Sequence, residues 1–155
     1  MKKILLLSAM CLMAFSVSAQ KYVDLGLPSG TKWKTTNETN PNDKNNFYTY
    51  DEAVSKFGKS LPTKAQLDEL QLYCEWIWEG RGYKVVGPNG NFIYLPAAGN
   101  RDCLGSVFNV DSIGCYWSST LDGSEKACCI LLYSRDVFKS IKERYYGFSV
   151  RLIQY

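Results

Sequence analysis

The chain contains no histidine among its 155 residues. Without an imidazole, the ordinary Ser-His and Cys-His pairs that activate a nucleophile cannot form. Histidine is also missing as a zinc ligand, and no two cysteines are spaced as Cys-x-x-Cys, so a structural zinc site is not expected. No serine or cysteine has an identifiable base. The sequence therefore predicts a protein that is not an enzyme and that uses neither a metal ion nor a cofactor.

The chain also lacks a strong charge of either sign. Its formal net charge is +3, and Lys2 and Lys3 lie in a segment that we expect to be removed. Without them the charge falls to about +1, too weak a positive field to attract nucleic acid. Aromatic residues, by contrast, make up 14% of the chain, which favours a well-packed core and an aromatic-lined surface.

Long apolar runs are absent except at the start of the chain. Residues 1–3 are basic, residues 4–15 form an apolar run too short to span a membrane, and Val17-Ser18-Ala19 offers a small-residue cleavage site. This pattern is typical of a secretory signal peptide over residues 1–19. We therefore expect residues 20–155 to form a single domain that is secreted to the periplasm, the cell surface or the medium, with no membrane span.

Cysteine is scarce after that cleavage. Five cysteines remain, and their odd number leaves at least one thiol unpaired. An oxidising destination permits disulfides, and Cys103 and Cys115, which flank a loop, are the predicted pair. Cys74 falls on the apolar face of a helix. Adjacent Cys128 and Cys129 point to opposite faces of a strand, so we do not expect a bond between them.

Two helices are predicted from capping boxes, in which Ser or Thr is followed three residues on by Glu or Gln. The two boxes are Thr49 with Glu52 and Thr63 with Gln66. Gly58 ends the first helix. Beyond the second helix, Trp76 and Trp78 lie two residues apart and share a face. They could stack on a sugar, but burial is the commoner outcome, so we expect core packing.

Two apolar runs near the C-terminus, residues 127–133 and 145–153, predict strands. Alternation divides the first run into two faces: Cys128, Ile130 and Leu132 on one, Cys129, Leu131 and Tyr133 on the other. Both faces are apolar, which fits either a central strand covered on both sides or a strand with one exposed binding face. Residues 134–144 fit either a solvated hairpin or a recognition loop.

Several strings of the chain resemble a known family. They are Val23-Asp24-Leu25-Gly26-Leu27-Pro28-Ser29-Gly30-Thr31-Lys32-Trp33, Leu61-Pro62-Thr63, Gly87-Pro88-Asn89-Gly90-Asn91, Leu95-Pro96-Ala97-Ala98-Gly99, Tyr116-Trp117-Ser118-Ser119-Thr120 and Arg144-Tyr145-Tyr146-Gly147-Phe148-Ser149-Val150-Arg151. In this order they resemble the Fibrobacter succinogenes major paralogous domain, which is similar to C-type-lectin-like domains. The resemblance implies an α+β fold in which two helices pack on a mostly antiparallel twisted sheet with long loops.

The resemblance also bears on function. Calcium-binding lectins of this fold use Glu-Pro-Asn or Gln-Pro-Asp and Trp-Asn-Asp strings, and none of these occurs in the chain. Recognition of a protein, or of a glycan without calcium, is therefore implied. Formylglycine-generating enzymes share the fold and use a cysteine pair, but the side chains of Cys128 and Cys129 diverge on their strand.

In such domains, loops and neighbouring strands carry the ligand contacts, and the matching segment is roughly residues 122–146. We predict a binding module that contacts a protein or glycan through Leu131, Tyr133, Arg135, Asp136, Phe138, Lys139 and Ile141. The loop at residues 100–113 is a second contact candidate. The alternatives are a structural subunit of a surface assembly, joined through strand edges, and an enzyme. No donor-strand tail is apparent, so a monomer is expected.

Overall fold

The computed structural model describes residues 21–155, so the predicted signal peptide at residues 1–19 lies outside the described part. Its helices are α1 (Tyr50–Phe57) and α2 (Lys64–Tyr73), separated by a 3₁₀ turn at Gly58–Ser60. The strands are β1 (Tyr22–Asp24), β2 (Lys32–Lys34), β3 (Glu75–Trp78), β4 (Gly82–Val86), β5 (Phe92–Pro96), β6 (Asn100–Arg101), β7 (Val107–Phe108), β8 (Ile113–Asp122), β9 (Lys126–Tyr133), β10 (Asp136–Glu143) and β11 (Ile153–Gln154). Within residues 21–155, no helix combines the length and apolar character needed to cross a membrane.

Both predicted capping boxes are confirmed. The Thr49 side chain accepts a hydrogen bond from the backbone of Glu52, whose carboxylate accepts one from the Thr49 backbone at 2.8 Å. Thr63 and Gln66 form the same reciprocal pair at the start of α2. Gly58 ends α1 with a φ of +50°, a left-handed conformation that favours glycine. Local hydrogen bonding therefore determines where each helix begins.

Within residues 21–155 the strands form four sheets, and every ladder between named strands is antiparallel. The central sheet has the order β10-β9-β8. The other sheets have the orders β3-β4-β5, β1-β2-β11 and β6-β7. With two helices and mainly antiparallel sheets, the fold is α+β, as the sequence predicted.

Strand β9 is covered on both faces, which is the first of the two interpretations of its apolar pattern. Ile130 and Leu132 pack in a core with Leu67 and Leu70 of α2 and with the sheet β3-β4-β5. The opposite face enters a second core, with α1 and the C-terminal segment, whose members include Cys129, Leu131, Tyr50, Ala53, Trp117, Phe148 and Val150. A strand buried on both faces reads as a continuous apolar run because neither set of side chains meets water.

The prediction of a strand over residues 145–153 is wrong. The prediction that residues 134–144 connect two strands is also wrong, because most of that segment is itself a strand. Residues 136–143 form β10, which pairs with β9 along its whole length after a turn at Ser134 and Arg135. The later segment makes only isolated bridges, such as Phe148 to Tyr48, before β11. A turn of two residues brings the following residues back beside β9 at once, so β10 takes the free edge first.

The two tryptophans expected in the core lie at its margin, where each is partly buried. Trp76 and Trp78 both pack against the α2 side of the core and meet Tyr83 edge-to-face, with ring centroids 5.6 and 5.1 Å apart. The Trp76 indole N–H donates to the backbone oxygen of Leu70 at 3.3 Å. These edge-to-face contacts hold β3 against β4, and the indole hydrogen bond ties β3 to α2.

One buried cation joins the sheets. Arg151 is 2% exposed, and no carboxylate lies within 4 Å of its guanidinium in the described part. Its Nη2 donates to the backbone oxygen of Tyr94 in β5 at 2.7 Å, and its Nη1 donates to the backbone oxygen of Lys34 in β2 at 3.0 Å. Its Nε donates to the side-chain oxygen of Asn37 at 2.8 Å. Burial lowers the pKa of Arg151, and the neighbouring Tyr116 hydroxyl and Glu38 act against that lowering. The charge is thus held by oxygen acceptors, as a buried cation requires.

We expect Arg151→Met to lower the free energy of unfolding by about 3 kcal/mol, since several buried carbonyls lose their donor. Arg151→Lys should recover little, because one ammonium cannot reach acceptors on three segments. Urea denaturation measures both. The matched control is Arg81→Met, since Arg81 is exposed and makes a long surface pair with Asp111. A loss below about 1 kcal/mol for Arg151→Met would contradict the assigned role.

Candidate functional site

The predicted contact residues lie on the hairpin of β9 and β10. Its ladder pairs Asp136 with Tyr133 at the turn and continues to Glu143 opposite Lys126. Directly opposed residues in an antiparallel ladder share a face, and successive residues alternate. The register therefore decides which of the predicted residues can act together.

The structure divides these residues between the two faces of the hairpin. Tyr133 and Phe138 lie on one face and are exposed by 38% and 47%. Asp136 shares that face, and Arg135 is exposed in the turn. Lys139 and Ile141 lie on the opposite face. The predicted contacts therefore do not share one continuous surface, because adjacent strand residues point in opposite directions.

Leu131, which was also predicted to contact a partner, is buried. Its side chain is 8% exposed and packs in the second core with Trp117 and Phe148. It forms part of the floor under the exposed rings, so it supports them from below. A large aliphatic residue on a strand covered on both faces has little access to a partner.

Tyr133 and Phe138 form a paired aromatic platform. Their rings meet edge-to-face with centroids 5.5 Å apart. The backbone of Tyr133 is fixed, since its oxygen accepts the Tyr83 hydroxyl at 2.6 Å. Each ring restricts the other, so the platform presents a defined shape to solvent at the end of a fully paired hairpin.

A shallow depression of about 170 Å³ lies beside this platform. Its lining comprises Asn100, Asn109, Ile113, Cys115, Leu131, Tyr133, Lys142, Tyr146 and Phe148. The Asn109 amide nitrogen donates to the Asn100 side-chain oxygen at 2.9 Å. This leaves the Asn100 amide nitrogen as a donor, and the Asn109 oxygen as an acceptor, without a protein partner in the described part. We name the Tyr133–Phe138 pair and this depression the recognition surface.

Three of the lining residues, Asn100, Asn109 and Ile113, come from residues 100–113, the loop predicted as a second contact candidate. Asn100 belongs to β6, and Asn109 follows β7 with a left-handed φ of +61°. The spacing of the sequence did not indicate that this loop would meet the hairpin. Isolated bridges from Gly99 to Gly114 and from Arg101 to Gly147 bring it there.

The opposite face of the hairpin carries a second concavity, which we name the α2 cleft. It has a volume of about 380 Å³ and is lined by Lys64, Leu67, Asp68, Thr120, Leu121, Asp122, Cys128, Cys129, Lys139, Ser140 and Ile141. Lys139 and Ile141, predicted as contacts, belong to this cleft. Sequence reasoning missed the α2 residues because they precede the hairpin by some sixty positions.

Asp68 organises the charges at the α2 cleft. Its carboxylate lies 2.7 Å from the Lys64 Nζ and 3.2 Å from the Lys139 Nζ. Partial burial works to raise the pKa of Asp68, but the interactions with Lys64 and Lys139 outweigh it and lower the pKa. The carboxylate therefore stays ionised and draws both ammonium groups to the mouth of the cleft.

Burial makes the thiols of Cys74, Cys115, Cys128 and Cys129 harder to ionise, because it raises the pKa of each. Burial raises the pKa of Cys115 and of Cys129 to about 12, and that of Cys74 to about 11. Cys128 and Cys129 lie on opposite strand faces, as predicted. Thiols with raised pKa values are poor nucleophiles at neutral pH. Across residues 21–155, no three His, Cys, Asp or Glu side chains are grouped to hold a metal ion.

The predicted disulfide between Cys103 and Cys115 is not formed. Cys103 is exposed in the turn between β6 and β7, whereas Cys115 is buried on β8 within the second core. All five cysteines of the described part are free. Flanking a loop in sequence is insufficient for a disulfide, because both side chains must also point toward one another.

Comparisons with known proteins returned no match. No family model fits the chain, and no curated protein or solved structure is significantly similar to it. The family resemblance and the C-type-lectin-like topology therefore stay predictions.

We expect Cys103 to be the first thiol to react with a maleimide in the folded protein without any reductant, since it is the one exposed cysteine among the five of the described part. Peptide mass mapping after brief labelling identifies the modified residue. Labelling of Cys103 only after reduction would show that it is held in a disulfide.

We also expect the free energy of unfolding to fall as the pH rises from 9 to 12. The unfolded chain releases thiol protons near pH 9, whereas Cys115 and Cys129 retain theirs to about 12. The stabilisation that these two protonated thiols give the folded state is complete below pH 9. Above pH 9 it falls by roughly 1 kcal/mol or more per pH unit. Urea denaturation across this range measures the slope. Cys129→Ala should flatten it and Cys103→Ala should not; equal slopes would contradict the assignment.

Proposed function

We propose that the chain is an exported, non-catalytic recognition module that contacts a protein or glycan through the recognition surface. We further propose that it acts as a monomer and belongs with the Fibrobacter succinogenes major paralogous domain, in a C-type-lectin-like fold. The observation that carries the proposal is the exposed, mutually braced pair Tyr133 and Phe138 at the end of a rigid hairpin.

The positions of the family-like strings support the fold assignment. Trp117 and Arg151 are both buried, and the Trp117 indole donates to the Tyr48 backbone at 2.9 Å. Gly87 lies so close to Leu25, the residue that follows β1, that a Cβ added to Gly87 would be 2.0 Å from the backbone oxygen of Leu25. Residues with such strict packing roles maintain a frame, while the recognition surface lies outside these strings except at Tyr146 and Phe148.

The exposure of two aromatic rings side by side favours a binding role. Isolated exposed apolar residues are ordinary, but adjacent ones form a patch that a partner can cover. Covering the exposed half of Phe138 would remove about 100 Å² of apolar surface from water and stabilise a complex by roughly 2 kcal/mol. Tyr133 adds a hydroxyl that can accept or donate a hydrogen bond.

The depression beside the rings extends this chemistry. The free amide groups of Asn100 and Asn109 and the ammonium of Lys142 line it, together with the ring of Tyr146. Tyr146 is itself held by stacking on Phe148, with centroids 5.9 Å apart. Aromatic faces next to hydrogen-bonding amides suit the apolar and hydroxyl-bearing surfaces of a glycan and equally the side chains of a protein loop.

The runner-up function, a structural subunit joined through strand edges, draws support from β10, an edge strand of eight residues. Two features weaken it. The Val137 carbonyl on that strand already accepts the Gln71 side chain at 2.8 Å, and Lys139 turns toward Asp68 of α2. Lysines and covering side chains are common means of blocking edge-to-edge pairing.

The test screens the secreted chain, residues 20–155, against arrays of glycans and of purified cell-surface proteins, and then measures the affinity of the strongest binder. Replacing Tyr133 and Phe138 together by alanine should weaken that affinity by at least about tenfold, because most binding energy comes from a few aromatic anchors.

The matched control is Phe92→Ala. Phe92 is 52% exposed on β5, in a different sheet, and packs under the Lys84 ammonium. The Phe92→Ala variant should bind with an affinity within about twofold of that of the unaltered chain, as expected for a residue outside the contact. Equal affinity of the double variant and the unaltered chain, or no binding on either array, would contradict the proposal. Size-exclusion chromatography of the same samples tests whether the chain is a monomer.

A further inference from the structure

The depression of the recognition surface is lined by one charged residue, Lys142 of β10, and by no carboxylate of the described part. Lys142 is partly buried, and its ammonium has no carboxylate within 4 Å among residues 21–155. The next residue, Glu143, points to the opposite face of the hairpin and pairs with Lys126 at 3.7 Å. A ligand in the depression therefore meets an ammonium that no ion pair of the described part satisfies.

The other charges on this face of the hairpin lie at its turn and offset one another. Asp136 shares the face but stands six residues before Lys142 on β10, which is about 20 Å along a strand that rises roughly 3.3 Å per residue. Arg135 precedes Asp136, is exposed, and makes no ion pair within residues 21–155. The opposite charges of Arg135 and Asp136 leave the single positive charge at the depression unbalanced.

The carboxylates of the neighbouring loop are engaged elsewhere. Asp102 accepts the backbone N–H groups of Leu104 and Ser106, both at 2.9 Å. Asp111 makes its ion pair with Arg81 at 3.8 Å. Neither residue lines the depression. The loop thus contributes polar groups to the depression without contributing negative charge.

The thiols beneath the depression place the ammonium of Lys142 close to its floor. Burial is the main cause that raises the pKa of Cys115 and of Cys129, and the positive charge of Lys142 acts against that rise. Cys115 is itself part of the lining, and both cysteines belong to the second core. The charge of Lys142 is therefore felt at the floor of the depression, where a bound ligand would lie.

The amide pair beside Lys142 favours a hydroxyl-bearing ligand. The hydrogen bond between Asn109 and Asn100 leaves one amide donor and one amide acceptor next to each other. A hydroxyl both donates and accepts, so neighbouring hydroxyls on a sugar ring match this pair. An acidic side chain of a protein partner would satisfy Lys142 but would cover the amides without replacing the water that they lose. A sugar acid satisfies both.

The size and the aromatic border of the depression fit a single ring. Its volume of about 170 Å³ corresponds to roughly six water-sized volumes. Tyr133 and Tyr146 both line it, and the ring of Tyr146 is stacked on Phe148 with an angle of 17° between their planes. A braced aromatic ring offers an apolar surface to the C–H face of a sugar.

We propose that the recognition surface binds a carboxylate-bearing sugar residue. The carboxylate pairs with Lys142, ring hydroxyls exchange hydrogen bonds with Asn100 and Asn109, and the ring lies against Tyr146. This inference rests on the proposed function, because it names the class of ligand for that same surface.

The probe is methyl glucuronide, with methyl glucoside as its neutral analogue. Two-dimensional ¹⁵N NMR titration measures both affinities and locates binding through the side-chain amides of Asn100 and Asn109. The glucuronide should bind at least about fivefold more tightly than the glucoside, since only the glucuronide gains a charge-assisted hydrogen bond. N-acetylneuraminate, a larger sugar acid, is titrated in parallel, and the tighter of the two acids identifies the source of the carboxylate.

Lys142→Met removes the charge and keeps an unbranched side chain. It should lower the affinity for the glucuronide to that for the glucoside and leave the glucoside within about twofold. Lys142→Arg retains the charge and should retain the preference for the acid. The matched control is Lys84→Met, which removes one positive charge from the remote sheet β3-β4-β5 and should leave both affinities unchanged.

Three results would overturn this inference. The first is that neither acid binds more tightly than the glucoside, and the second is that Lys142→Met keeps the preference for the acid. The third is that a capped Gly-Glu-Gly peptide shifts the same amides and binds more tightly than either acid, which would indicate an acidic protein segment. Each of these leaves the proposed function standing as long as replacing Tyr133 and Phe138 still weakens the strongest array binder; if that replacement has no effect, both fall.

Discussion

The buried guanidinium of Arg151 is the interaction on which the frame depends. It donates to β2 at Lys34 and to β5 at Tyr94, and through Asn37 it reaches the Tyr116 hydroxyl on β8. One side chain thus connects the three three-stranded sheets. Because the cation is buried among oxygen acceptors, with no carboxylate of the described part within 4 Å, any displacement of a sheet would leave polar groups unpaired in the interior.

This frame explains why the C-terminal hairpin can present side chains on both faces. Strand β9 is buried on either side, so its partner β10, at the edge, carries most of the exposed residues. Phe138 points toward the recognition surface, whereas Lys139 and Ile141 point into the α2 cleft. One strand thus borders an aromatic platform on one face and an apolar cleft with two lysines at its mouth on the other.

Local signals in the sequence predicted local structure well. The capping boxes at Thr49 and Thr63 and the turn glycine at Gly58 depend on neighbours within a few residues, and the structure confirms them. The seven predicted contacts all lie on the hairpin of β9 and β10, but the sequence did not indicate which of them share a face, since the register that separates Phe138 from Lys139 arises from pairing with β9. Asn100, Asn109, Lys64 and Asp68 reach the hairpin only through tertiary packing, for which the sequence holds no short-range signal.

The central claim is that a partner covers the ring platform of the hairpin. Hydroxyl-radical footprinting of the chain with and without its strongest binder tests this most directly, because it reads solvent access residue by residue. The account predicts that oxidation of Tyr133 and Phe138 falls on binding while that of Phe92 and Leu72, exposed elsewhere, stays the same. Unchanged oxidation of Tyr133 and Phe138, with protection at another surface, would contradict it.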